Sequence, residues 1–176
     1  MKINKIIFLL LLSFSSLFAD LTEYQKKVLK ICEKYGKLIG MQETLMAIAF
    51  SESNAGMAYP VQDMFLKPFT RSYGIMNVRL PTAKIVIAEG YVNFDQTDEY
   101  LLIKLIQDPE FNIAVAAGYL KLIQDKHFKN IEDIILAYNA GPGNVKQFKK
   151  ENKIDYLIKT KKHLKFIKTL YENQEL

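Results

Sequence analysis

From Leu21 onward, nearly every apolar run repeats at intervals of three and four residues. This is the period of a helix with one buried face, and no stretch alternates residue by residue as a half-buried strand would. The pattern restricts the fold to an all-α or nearly all-α domain, α+β only with minimal sheet. The punctuation agrees with it. Leu21, Tyr24, Val28, Leu29 and Cys32 make one stripe, which Gly36 closes, and a second helix is expected from about Met41 to Ser53 with Leu45, Ile48 and Ala49 on one face. Pro81 suits the first turn of a helix that Gly90 ends. Thr97 caps the next, Asp108 and Pro109 open a long helix to about Lys126, and Asn130 caps Ile131 to Tyr138. Gly141-Pro142-Gly143 breaks the chain, and a Lys-rich amphipathic helix is expected over about 146–171. Residues 54–73, with Gly56, Pro60 and Pro68, keep no period and read as a long loop, which in a compact domain usually serves function.

The first 19 residues stand apart. Lys2 and Lys5 precede an apolar run from Ile6 to Phe18 that ends at Ala19 with no acidic residue inside, the pattern of a secretory signal peptide. The run is 13 residues long, against the ~20 a membrane-spanning helix needs, and contact with a membrane is expected only if this segment stays uncleaved. No cysteine near Ala19 suggests a lipoprotein. Removal after Ala19 leaves 157 residues from Asp20, enough for one core, and the expected location is the periplasm.

Composition excludes several classes. With 49% hydrophobic and 24% charged residues the chain is globular. Cys32 is the single cysteine, so no internal disulfide can form, and His127 and His163 lie too far apart for a zinc pattern; neither metal nor cofactor is expected. The formal charge of +5 falls to +3 without Lys2 and Lys5. Between Lys146 and Lys168, nine Lys face Glu151 and Asp155, a local surplus of +7. This is either a solvated helix face or a surface for an anionic polymer, and export argues against nucleic acid.

Glu52 is the residue that most suggests chemistry. It follows Leu45 by seven positions, Ile48 by four and Ala49 by three, so helical spacing places its carboxylate on the side of that apolar stripe. Burial and the negative end of the helix dipole both disfavour its charged form, so a raised pKa is expected, as a general acid near neutral pH requires. The alternative is a carboxylate that reaches solvent or pairs with Arg71, Arg79 or a Lys. Two further clusters accompany it: Ser72-Tyr73-Gly74-Ile75-Met76-Asn77 leading into Pro81-Thr82-Ala83, and Ala137-Tyr138-Asn139-Ala140-Gly141 at a helix end.

Glu52-Ser53 and these two clusters resemble, in order, the three motifs of the soluble lytic transglycosylase (SLT) catalytic domain, a lysozyme-like fold related to goose-type lysozyme. The resemblance spans about Gln42 to Val145 and makes residues 20–176 a single domain with a substrate cleft. It implies cleavage of the β-1,4 bond between N-acetylmuramic acid and N-acetylglucosamine in peptidoglycan glycan strands, with closure of a 1,6-anhydro ring and no water consumed. Glu52 is then acid and base in turn, with Tyr138 hydrogen-bonding near it or the substrate. Ser72, Tyr73, Met76, Asn77 and Asn139 bind the sugar, and Asn139 also fixes the turn that presents Tyr138. Such a cut could serve an envelope-spanning secretion, conjugation or flagellar machine.

Other readings share the motifs. A water-using muramidase would need a second carboxyl, for which Asp63 is the first candidate. A non-catalytic peptidoglycan-binding assembly protein could keep the cleft. The chain departs from the family pattern at Asn77, where Gln is usual, and after Ser53, where Asn54-Ala55-Gly56 replaces an aromatic. Its longer segment before Gly74 carries Tyr59, Phe65 and Phe69, candidates for a lid, for stacking on sugar rings or simply for anchoring the loop.

Overall fold

The computed structural model describes residues 21–58 and 70–174. The signal segment, Asp63, Tyr59, Phe65 and Phe69 lie outside those residues. The first helix, α1 (Glu23–Ile39), starts with a capping box: the Thr22 hydroxyl accepts from the Gln25 N–H at 3.2 Å while Gln25 Oε1 accepts from the Thr22 N–H at 3.0 Å. Gly36 does not end it. The helix continues to Ile39 and closes on Gly40, whose φ is 69°. Gly36 is instead the point where α1 meets the next helix, since a Cβ there would lie 2.3 Å from Gln42 Cα.

That next helix, α2 (Gln42–Ser53), corrects the expectation of one apolar face. Leu45, Met46, Ala47, Ile48 and Ala49 have no exposed surface, so the helix is buried on nearly all sides. It is clasped between α1 and the last helix, α8 (Asp155–Glu172). The remaining helices are α3 (Leu80–Ala88), α4 (Asp98–Gln107), α5 (Pro109–Lys126), α6 (Ile131–Ala140) and the short α7 (Val145–Lys150), with a 3-10 turn at Pro142–Asn144. α5 packs against α1, α3, α4 and α6 and so forms the centre of the helical assembly. Side chains of Thr97, Asp108 and Asn130 cap α4, α5 and α6 as expected.

The segment read as loop ends in a small antiparallel hairpin, β1 (Ser72–Tyr73) with β2 (Val78–Arg79), in the register Ser72 opposite Arg79 and Tyr73 opposite Val78. Its two-residue strands are too short to show a period of two. Asn112, fully buried on α5, holds it: the Asn112 side-chain oxygen accepts from the Met76 N–H at 2.8 Å, and its amide donates to the Tyr73 carbonyl at 2.9 Å and to Leu105 at 3.1 Å. Gly74 makes this approach possible. Its φ is +70°, and a Cβ would sit 2.4 Å from both the Asn112 amide nitrogen and the Leu105 carbonyl oxygen.

The Lys-rich segment is two helices, α7 and α8, parted near Asn152, whose φ is 53°. Much of its charge is engaged. Lys149 pairs with Asp133, Lys153 with Glu151, Lys161 with Glu132 and Lys168 with Glu43, and Lys159 donates to the Ser51 carbonyl at 2.6 Å.

Candidate active site

Glu52 occupies the last turn of α2, where the chain reverses direction. Asn54, Ala55 and Gly56 take φ of 52°, 52° and 87°, three successive left-handed residues, and Ser53 Oγ accepts the Gly56 N–H at 2.8 Å. A bulky aromatic directly after Ser53 would have to adopt that strained backbone, whereas Asn and Gly accept it. The turn leaves the half-buried Glu52 side chain at the edge of a cleft of about 240 Å³. The cleft is lined by Ser72, Asn77, Val78 and Arg79 of the hairpin region, Thr82 of α3, Tyr119 of α5, and Tyr138 and Asn139 of α6. Helices distant in sequence thus bring Glu52, Ser72, Asn77, Tyr138 and Asn139 together around one space. Among the described residues Glu52 is the one carboxyl on this lining and Arg79 the one cation.

Both carboxylate oxygens of Glu52 are occupied by donors. The Asn77 amide donates to Oε2 at 2.8 Å and to the Glu52 backbone carbonyl at 3.1 Å. Asn77 itself sits at φ 48°, a left-handed position that Asn tolerates better than most residues. On the other oxygen, the Tyr156 hydroxyl donates to Oε1 at 2.6 Å. Burial, followed by the charge of Glu52, holds the Tyr156 phenol well above the usual tyrosine range, so it remains a donor across the working pH. Partial burial of Glu52 favours its neutral form and the two donors favour the carboxylate, so opposed forces act on the same group.

Tyr138 lines the same cleft as Glu52, and its hydroxyl reaches the hairpin. Its hydroxyl donates to the Met76 carbonyl at 2.7 Å and its ring packs 5.7 Å from that of Tyr119. Burial and then the Glu52 charge keep this phenol protonated as well. Tyr138 therefore ties α6 to the hairpin and presents its ring to the cleft.

Three expectations need correction. Met76 was expected at the sugar, but its side chain is fully buried in the core and only its carbonyl contributes, as the acceptor for Tyr138. Tyr73 packs against the core and is not among the cleft-lining residues, because the hairpin register turns Ser72 to the cleft instead. Asn139 is exposed on the cleft wall and does not fix the turn. That turn is held by Asn144, whose amide donates to the Ala140 carbonyl at 2.7 Å, and by Gly141 at φ 82°.

Sequence reasoning missed Tyr156 and Asn112. Tyr156, Thr160, Leu164 and Ile167 recur every three or four residues on α8, a core-facing stripe that the surrounding lysines obscured. Asn112 offered a weaker signal, as one uncharged polar residue within the apolar run of α5. A larger groove of about 460 Å³, lined by Tyr35, Leu38, Tyr91 and Phe111 among others, lies elsewhere and contains no residue of the three motifs. Size alone does not locate the chemistry.

No solved structure matches the chain. The family model of the transglycosylase SLT domain matches residues 33–159, which include Glu52, the hairpin, Tyr138 and Tyr156. The chain belongs to the transglycosylase SLT domain family, a family of lysozyme-like, peptidoglycan-acting proteins.

Proposed function

We propose that the protein is an exported, periplasmic lytic transglycosylase that cuts the bond between N-acetylmuramic acid and N-acetylglucosamine without water and leaves a 1,6-anhydromuramoyl end. The observation that carries this reading is the lone carboxyl on the described cleft wall, with a donor on each of its oxygens. A water-using glycosidase generally divides the work between two carboxyls, whereas ring closure by the substrate's own hydroxyl needs only one.

The steps follow from that arrangement. Tyr156 keeps Oε1 an acceptor, so the acid proton resides on Oε2, the oxygen beside the cleft-lining Asn77. Glu52 gives this proton to the glycosidic oxygen as its bond to C1 breaks, and the sugar's 2-acetamido oxygen supports the positive charge at C1. The resulting carboxylate, held by Asn77 and Tyr156, then takes the proton from the C6 hydroxyl as O6 closes on C1. Glu52 is again protonated and no other reactant has been used. Arg79, the one cation among the described lining residues, is suited to a carboxylate of the stem peptide.

Asn77 also bears on the binding-only alternative. Its amide is aimed at the acid at 2.8 Å, which supports a working carboxyl over a cleft retained only for adhesion. Purified protein is expected to release soluble muropeptides from isolated sacculi, and Glu52→Gln is expected to bind the sacculi and release nothing. Wild-type binding without release would select the assembly-protein reading.

A further inference from the structure

The hydrogen-bond donors on the cleft wall fall into two groups. Asn77 and Tyr138 spend theirs within the protein, on Glu52 and on the Met76 carbonyl. Tyr119 does not. Its ring is half-buried and lines the cleft, yet its hydroxyl makes no hydrogen bond among the described residues; burial and the charge of Arg79 are the influences it feels. Nor is its oxygen sealed in the interior. The space that Tyr119 borders is the cleft.

The ring is held in place from two sides. Tyr119 follows Asn112 by seven residues, two turns of α5, so both stand on one face of that helix. Asn112 grips the hairpin through the Met76 N–H and the Tyr73 carbonyl. One helix thereby sets the wall that carries Tyr119 against the hairpin that carries Asn77. On the other side the Tyr119 ring packs 5.7 Å from that of Tyr138, tilted by 51°. A packed ring with two side-chain torsions gives up little freedom when its hydroxyl binds.

Burial, opposed by the charge of Arg79, holds the Tyr119 phenol above the ordinary tyrosine range, so it keeps its hydrogen. The free protein therefore presents one fixed O–H donor with nothing to donate to. Arg79 is the partner for a charged group, and a protonated phenol suits a neutral oxygen. Sugar rings supply such oxygens at every hydroxyl and acetamido group.

We propose that Tyr119 is a substrate-binding residue of this cleft, donating its phenolic hydrogen to a neutral sugar oxygen of the glycan. The proposal rests on the reading of the cleft as a glycan site. It divides the work between two tyrosines: Tyr138 braces the hairpin with its hydroxyl, and Tyr119, outside the three motifs, offers one to the sugar.

The two hydroxyls then differ in what they do before substrate arrives. An unpaired hydroxyl stabilises nothing, so Tyr119→Phe is expected to leave Tm unchanged or to raise it. Tyr138→Phe strips the Met76 carbonyl of its donor and is expected to lower Tm. Binding is measured by calorimetry in the Glu52→Gln background, where cleavage is not expected, with a peptide-bearing tetrasaccharide released from sacculi by a muramidase. Adding Tyr119→Phe is expected to weaken binding by about three- to tenfold, the loss of one neutral hydrogen bond. That loss is expected to be the same at low and high salt, because neither partner is charged, whereas the loss in Arg79→Gln shrinks as salt rises.

Unchanged affinity in Tyr119→Phe overturns the proposal. So does a loss that fades with salt, which would place the effect on Arg79, or a fall in Tm matching that of Tyr138→Phe, which would make the hydroxyl a structural one. Failure of Glu52→Gln itself to bind the tetrasaccharide would remove the glycan reading of the cleft and the proposal with it. Weakened binding in Tyr119→Phe beside a wild-type protein that cleaves nothing would remove only the enzymatic reading.

Discussion

The Asn77 amide reaches Glu52 twice, at 2.8 Å to Oε2 and at 3.1 Å to the backbone carbonyl of the same residue. One short side chain therefore fixes both the carboxyl and the end of the helix that carries it. The double contact requires the left-handed φ of 48° at Asn77, which swings its amide back toward α2. Backbone and side-chain effects can be separated here. Asn77→Gly keeps the backbone and loses the amide, and it is expected to lower kcat by about tenfold with little change in Tm, the loss of roughly one charge-assisted hydrogen bond. Asn77→Ala adds backbone strain and is expected to lower Tm as well. Steady-state release of soluble muropeptides, measured beside thermal unfolding, checks both.

Glu52→Gln is expected to reduce cleavage by about 10²–10⁴-fold, and at the upper end because a single group serves both proton transfers. Glutamine can still accept from Tyr156, so the fold should persist. Activity that survives in Glu52→Gln would place the acid elsewhere.

The hairpin depends on Asn112. Asn112→Ala leaves the Met76 N–H and the Tyr73 and Leu105 carbonyls without that partner and is expected to cost about 2–4 kcal/mol. Gly74→Ala is expected to cost more than about 2 kcal/mol, from the close approach to Asn112 and the positive φ together. Denaturant unfolding measures both. Because Asn77 and the Tyr138 acceptor lie on the same hairpin, activity should be lost along with stability.

The fold reads clearly in the sequence where one helix face meets solvent and caps mark the ends, as at Thr97, Asp108 and Asn130. It reads poorly where packing decides. Gly36 looks like a stop signal, yet its missing side chain serves the contact with Gln42. The all-round burial of α2 makes its apolar spacing a weak guide to where Glu52 points, and the cleft edge is set by the turn at Asn54–Gly56 instead. In the site, the motif residues identify the place but not each role. Met76 contributes a carbonyl, a group every residue has, and Tyr156 comes from a helix whose lysines dominate its composition.

Stability should fall in mild acid. His163 titrates below its ordinary value near 6.5 in the folded chain, so between that value and its folded midpoint the unfolded chain binds more protons. Its contribution is full above about pH 6.5 and is lost as the pH drops through this window. His163→Asn, which does not titrate, is expected to flatten this part of a Tm-against-pH curve.

The lysines of α7 and α8 give a salt-dependent prediction. Lys146, Lys150, Lys162 and Lys165 have no ion pair among the described residues. Reversing these four charges is expected to weaken sacculus binding at low salt and to flatten its dependence on ionic strength. Unchanged binding would identify the segment as a solvated face.

The central claim concerns where the C6 hydroxyl goes. Sacculi digested with the purified protein and analysed by mass spectrometry are predicted to yield muropeptides ending in 1,6-anhydromuramic acid, one water lighter than the hydrolysed form. Reducing muramic ends in their place would contradict the account and assign the cleft to a hydrolase.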